Sequence, residues 1–219
     1  MTAITATTPV ETVSQIATRA DAEALDRQDP LAHYRSAFII PDGLIYLDGN
    51  SLGPVTHKAR ARVERTLTEE WQEGLIRSWN TAGWVDLPAK VAAKIAPLIG
   101  ARAQDVAVCD STSINLFKVL AAALDQARGR KVILAEPFNF PTDLYIAEGI
   151  AGLKGSELRL EEDVIAALSD DVAVVMLTEV DYRTGAKHDM AATTRLIHDK
   201  GALVVWDLAH STGAFPVDL

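Results

Sequence analysis

Ala202-Leu203-Val204-Val205-Trp206-Asp207-Leu208-Ala209-His210 is the stretch that decides the fold. Its unbroken apolar run reads as a strand buried on both faces rather than an alternating, half-exposed one. A carboxylate directly after such a strand is costly unless a cation or a hydrogen-bond donor meets it. Outward from this segment, comparable β-branched runs stand at Val106–Cys109, Val132–Ala135 and Val172–Leu177. Helical periodicity separates them at Ile114–Ala127, Asp143–Gly149, Asp163–Leu168 and Met190–Lys200. The alternation predicts an α/β fold, a mostly parallel sheet with helices on both faces. Ligands of such sheets bind outside the carboxyl ends of the strands, so the chemistry is expected in the loops just after each run.

Before Gly100 the rhythm differs. Residues 1–20, rich in Thr, Ala and Ser, read as a flexible tail. Residues 21–99 read as an amino-terminal helical segment containing a short strand. A helical pattern over Asp21–Phe38 is interrupted near Pro30, and the turn Pro41-Asp42-Gly43 precedes a strand at Leu44–Leu47. Helices are expected over His57–Glu73 and Asp86–Ile99. Residues 100–219 form the α/β part.

The 219 residues are 48% hydrophobic and 23% charged, enough for a buried core. A net charge of −9 argues against a general nucleic-acid or anionic-membrane binder. The single cysteine, Cys109, forms no internal disulfide and fits a reducing compartment. The first residues lack a basic stretch followed by an apolar one, and no apolar run approaches a membrane span. A cytoplasmic protein is the expectation.

Each strand end offers polar residues with two readings. Asp110-Ser111-Thr112-Ser113 opens a helix, either as a plain cap or as hydroxyls and N–H groups offered to an anion. Phe138-Asn139-Phe140-Pro141-Thr142-Asp143 places aromatics where they pack a core or stack on a flat ligand. Thr178-Glu179-Val180-Asp181-Tyr182-Arg183-Thr184-Gly185 fits an active-site loop and a routine turn equally. Asp207 fits a helix cap or the partner of a protonated pyridine nitrogen, which needs such a carboxylate. No P-loop, G-x-G-x-x-G or G-x-S-x-G motif occurs, and Asp207, His210 and His188 make a poor metal set, so no metal is expected.

Five segments, in order, resemble the kynureninases: Tyr46-Leu47-Asp48-Gly49-Asn50-Ser51-Leu52-Gly53, Ile76-Arg77-Ser78-Trp79-Asn80, Ser111-Thr112-Ser113-Ile114-Asn115-Leu116-Phe117, Phe140-Pro141-Thr142-Asp143-Leu144-Tyr145 and Asp207-Leu208-Ala209-His210-Ser211. The resemblance runs from about Asp21 to Leu219. It implies the large domain of a fold-type I pyridoxal-phosphate (PLP) enzyme of the class V aminotransferase type, incomplete here. It also implies hydrolytic Cβ–Cγ cleavage of L-kynurenine or 3-hydroxykynurenine, in tryptophan catabolism or NAD biosynthesis, by a homodimer.

By that resemblance Thr112 and Ser113 hold the PLP phosphate, and Phe140 lies against the ring with Pro141, Thr142 and Asp143 completing that wall. Thr178 is a further ring contact, Asp207 meets the pyridine nitrogen, and His210 neighbours the ring or its phenolic oxygen. Trp79, Ser51 and Asn50 resemble substrate-side residues. Asp181 and Arg183 depart from the Asn and Lys of the family's pattern and are expected on the solvent side of their loop. The family's Schiff-base lysine follows the Asp207–Ser211 segment, whereas the last of the eight lysines here is Lys200. The expectation is therefore a truncated chain with an open sheet edge, inactive alone and with no catalytic lysine. The other readings are a non-catalytic PLP-binding remnant and a different class V enzyme such as a cysteine desulfurase, in which Gln is expected at position 210.

Overall fold

The computed structural model describes residues 18–127 and 129–219, so residues 1–17 of the expected tail lie outside the described residues. The chain divides into two compact units, one running to Ile76 and the other from Arg77 to Leu219. No helix among the described residues is long and apolar enough to cross a membrane.

In the first unit, helix α1 (Arg19–Gln28) begins at a capping box in which Thr18 and Asp21 satisfy each other's backbone N–H groups. A 3₁₀ segment at Ala32–Ala37 follows, so the pattern around Pro30 is broken as the sequence predicts. Helix α2 (His57–Arg65) continues through a π-helical turn at Thr66–Trp71 into α3 (Gln72–Gly74), matching the expected His57–Glu73 helix. The strand expected at Leu44–Leu47 does not form. Ile45 and Leu47 are 83% and 90% exposed, and among the described residues no neighbouring strand takes up the segment's backbone groups. Four apolar residues make a strand only when a ladder and a covered face are available.

In the second unit, α4 (Ser78–Thr81) and α5 (Leu87–Ile95) lead to the α/β part. There α6 (Thr112–Gln126), β1 (Val132–Ala135), α7 (Pro141–Lys154), β2 (Glu157–Leu160), β3 (Val172–Thr178), α8 (Met190–Asp199) and β4 (Leu203–Asp207) follow in turn. The sheet is parallel throughout, in the order β2-β1-β3-β4. Period-two alternation splits the central strands between two cores. Ile133, Val174 and Met176 pack with Leu116, Leu120 and Ile150 of α6 and α7, whereas Leu134, Val175 and Leu177 pack with Ile197 of α8. The sheet is thus covered on both faces, as expected.

Local chemistry explains where the long helices begin and end. Ser111 caps α6 by accepting the Ile114 N–H, and Asp189 caps α8 by accepting the Ala192 N–H at 2.9 Å. Pro141 sits in the first turn of α7, and Gly155 ends that helix in the left-handed region at φ 62°. Lys154 then pairs with Asp125 of α6 at 2.7 Å.

Two further expectations are corrected, and one strand is added. Val106–Cys109 forms no strand, because no ladder partner lies beside it among the described residues. Asp163–Leu168 is a single turn, closed by the Asp163 carboxylate accepting the Ala166 N–H, while Val164 is buried in the α8-side core. Strand β2 was not foreseen. It is an edge strand of alternating charge, Glu157-Leu158-Arg159-Leu160, with Arg159 pairing to Asp171 at 2.8 Å. Charge on an edge protects it from further pairing, and it also erases the apolar run by which the other strands are recognised.

Candidate active site

The parallel register brings Thr178 opposite Asp207 at the last pair of β3 and β4. With Met176 and Val174 they share the face covered by α6 and α7, while Trp206 points to the α8 face. Asp207 is half-buried. Its Oδ1 accepts the Ala209 N–H at 2.8 Å, and its carbonyl accepts the Glu179 N–H at 3.1 Å. The turn after β4 is fixed in this way.

Asp143, in the first turn of α7, is 1% exposed and lies against Asp207. Burial, reinforced by the charge and hydrogen bond of Asp207, pushes its carboxyl up to about 7. Its Oδ2 has no hydrogen-bond partner among the described residues. A buried, unpartnered carboxyl oxygen beside a second carboxylate is a costly arrangement that a cationic ligand would relieve. A cavity of about 510 Å³ opens there, lined by Thr112, Asn115, Asp143, Trp206, Asp207 and Leu208 among others.

On the far side, Thr112 and Ser113 are the first residues of α6, where unpaired backbone N–H groups and the positive helix end favour an anion. The loop after β1 supplies Asn139 and Phe140. The amide oxygen of Asn139 accepts both the Thr178 hydroxyl and the Phe140 N–H, the latter at 2.7 Å, and its nitrogen is buried without a partner among the described residues. Phe140 lies 5.2 Å from Tyr182 and 6.5 Å from His210, centroid to centroid. Pro141 and Thr142 are exposed at the start of α7 beside these groups.

Most of the anticipated residues therefore surround one region at the carboxyl edge of the sheet: Thr112, Ser113, Phe140 to Asp143, Thr178, Asp207 and His210. The substrate-side candidates fall on other elements. Trp79, on α4, makes an edge-on ring contact with Trp84 at 6.4 Å. Asn50 and Ser51 belong to the first unit, where the Ser51 hydroxyl donates to Asp48 at 2.7 Å. Asn139 and Tyr182 went unassigned in the sequence, although a polar residue between two phenylalanines at a strand end was a usable signal. Arg183 is exposed, as the sequence predicts, and its guanidinium lies 4.5 Å from the centre of the Phe138 ring.

A second polar group occupies the opposite, α8 face. His188 Nε2 is 3.3 Å from Glu136 Oε1, and its ring lies 5.9 Å from that of Trp206. Glu179 is also buried on this side, with Lys187 Nζ at 3.7 Å.

Two carboxylates, an anion-ready helix start and an aromatic wall can hold a flat ligand bearing an acidic group at one end and a basic nitrogen at the other. Comparison with known proteins agrees. The chain is 56% identical over 211 residues to the kynureninases of Pseudomonas fluorescens and Burkholderia mallei, covering 92% of this chain and 51% of each. It thus spans about half the length of the curated relatives it matches. Among solved structures, the cysteine desulfurase CsdA of Escherichia coli superposes with a TM-score of 0.69 at 16% identity, covering 85% of this chain and 50% of that one. A C-DES mutant with glycine covalently linked to its PLP cofactor gives 0.68 at 16% identity, covering 81% and 50%. These likenesses show a shared fold. A sequence profile described as aminotransferase class-V matches residues 45–219, and the chain belongs to that family.

Proposed function

We propose that the whole protein is a PLP-dependent kynureninase, and that these residues supply the cofactor-holding side of its site. The reaction is hydrolytic Cβ–Cγ cleavage of L-kynurenine, or its 3-hydroxy form, to anthranilate or 3-hydroxyanthranilate and L-alanine. The observation that carries this reading is the 56% identity to kynureninases, joined to the buried Asp143 carboxyl, which stands against Asp207 with one oxygen unpartnered among the described residues. When bound, PLP supplies an electron sink through its protonated pyridine ring.

The residues present fit that group. Asp207 would hold the proton on the pyridine nitrogen, and Asp143 behind it would sustain the negative potential. Thr112 and Ser113, with the first N–H groups of α6, would hold the phosphate. Phe140 would lie against the ring face, flanked by Pro141 and Thr142. Thr178, already tied to Asn139, would bound the ring edge, and His210 would neighbour its phenolic oxygen. Trp79, Asn50 and Ser51 are assigned to the substrate side by the resemblance alone. The Schiff-base lysine is assigned to a position after the Asp207–Ser211 segment, outside these 219 residues. Homodimer formation, a cytoplasmic location and a role in tryptophan catabolism or NAD biosynthesis belong to the same proposal.

Two measurements test it. The purified chain should bind PLP more tightly than pyridoxal, which lacks the phosphate, and should release no anthranilate from kynurenine. Joined at Leu219 to the carboxy-terminal half of the Pseudomonas fluorescens enzyme, it should produce anthranilate fluorescence. Equal binding of PLP and pyridoxal, or a PLP-loaded fusion that makes no anthranilate, would count against the reading.

A further inference from the structure

Phe140 and His210 come from different loops, and both rings meet Tyr182. Tyr182 stands edge-on to Phe140, with centroids 5.2 Å apart and planes at 69°. It stacks on His210 at 6.3 Å and 25°. Phe140 and His210 are 6.5 Å apart, so the three rings close a triangle. One residue further on, the Arg183 guanidinium lies over the Phe138 ring. Two consecutive residues of the loop after β3 thereby grip two aromatic residues of the loop after β1.

The gripping loop is itself held. Asp181 accepts the backbone N–H groups of Arg183 and Thr184 at 2.7 and 3.1 Å, and its other oxygen takes the Arg183 guanidinium at 3.0 Å. Phe140, in contrast, precedes α7 without a side-chain cap and is 37% exposed. A ring that exposed keeps one orientation only where its neighbours impose it, and edge-on aromatic pairs impose a preferred angle.

We propose that Tyr182 is a positioning residue, holding Phe140 and His210 in the mutual orientation that a flat cofactor ring meets, with the Arg183–Phe138 contact locking its loop. The proposal rests on the cofactor reading above. Tyr182 acts through its two neighbours rather than on reacting atoms.

The test compares Tyr182→Leu, Tyr182→Phe and Arg183→Gln in the full chain. Without cofactor, the His210 ring-proton resonances should move in the Leu variant, as the ring current of Tyr182 is lost, and stay in place in the Phe variant. With PLP added, the Leu variant should lose most of the circular dichroism that the protein induces in the bound cofactor. Its Kd for PLP should rise by about three- to tenfold, with the Phe variant close to wild type. Arg183→Gln should weaken the induced signal in the same direction, and it decides the matter if the Leu variant loses its native spectrum. An unchanged induced signal and Kd in the Leu variant, or in Arg183→Gln in that event, would overturn the proposal while leaving the cofactor reading intact. Absence of PLP binding by the wild-type chain would overturn both.

Discussion

Asp143, from the first turn of α7, lies buried against Asp207 at the end of β4, and burial together with that neighbour raises its carboxyl to about 7. In an unfolded chain an aspartate titrates at about 3.9. The folded protein therefore holds an extra proton between those values, and stability is greatest below the lower one. It should fall as pH rises from about 4 to about 7 and then level off. Asp143→Asn should flatten that part of the profile, as read by the denaturant midpoint of the cofactor-free protein at a series of pH values. An unchanged slope in the variant would show that Asp143 does not carry the proton.

Asp207→Asn should separate stability from binding. It removes one of two adjacent carboxylates while keeping an oxygen able to accept the Ala209 N–H, so the cofactor-free protein should melt at the same temperature or higher. Under the proposed function it also removes the charge facing the pyridine nitrogen. PLP affinity should drop by roughly ten- to a hundredfold, the size of a hydrogen bond to a charged group. Parallel melting curves and PLP titrations test both halves.

Thr112→Val and Ser113→Ala should weaken PLP binding by roughly five- to thirtyfold each while leaving pyridoxal binding nearly unchanged. Neither hydroxyl is the cap of α6, which is Ser111, so helix stability should hardly change. A similar loss for pyridoxal would place the phosphate elsewhere.

On the α8 face, the hydrogen bond to Glu136 pushes His188 above its ordinary value, with partial burial opposing and the charges of Glu136, Asp181 and Glu179 adding to it. A raised histidine contributes stability that is complete below its unfolded value of about 6.5 and lost as pH rises through its folded value. This loss has the same sign as that of Asp143 and begins at higher pH. Glu136→Gln should remove it, leaving the steeper part of the profile near pH 4 to 7 in place.

Much of the fold was legible because central parallel strands advertise themselves. Val132–Ala135 and Val172–Thr178 are buried at every position, and only continuous apolar runs satisfy such places. Strand β2 was illegible because its edge position asks for charge, and Leu44–Leu47 misled because apolar content alone does not create a ladder. Helix α7 runs past the expected Gly149 to Lys154, where Gly155 ends it in the left-handed region.

By itself the sequence determined the ends of the central strands, because burial there dictates apolar runs and the first polar residue after each run marks the edge where ligands bind. Asp207 and Thr178 were therefore identifiable from local pattern, whereas the start of α6 was marked by its capping residues and not by a strand, since Val106–Cys109 forms none. Only the tertiary structure decided that Asp143 would meet Asp207 and that Tyr182 would touch both Phe140 and His210. Those meetings depend on the strand order β2-β1-β3-β4 and on how the crossover helices pack, and no local stretch of sequence encodes contacts between loops so far apart in the chain.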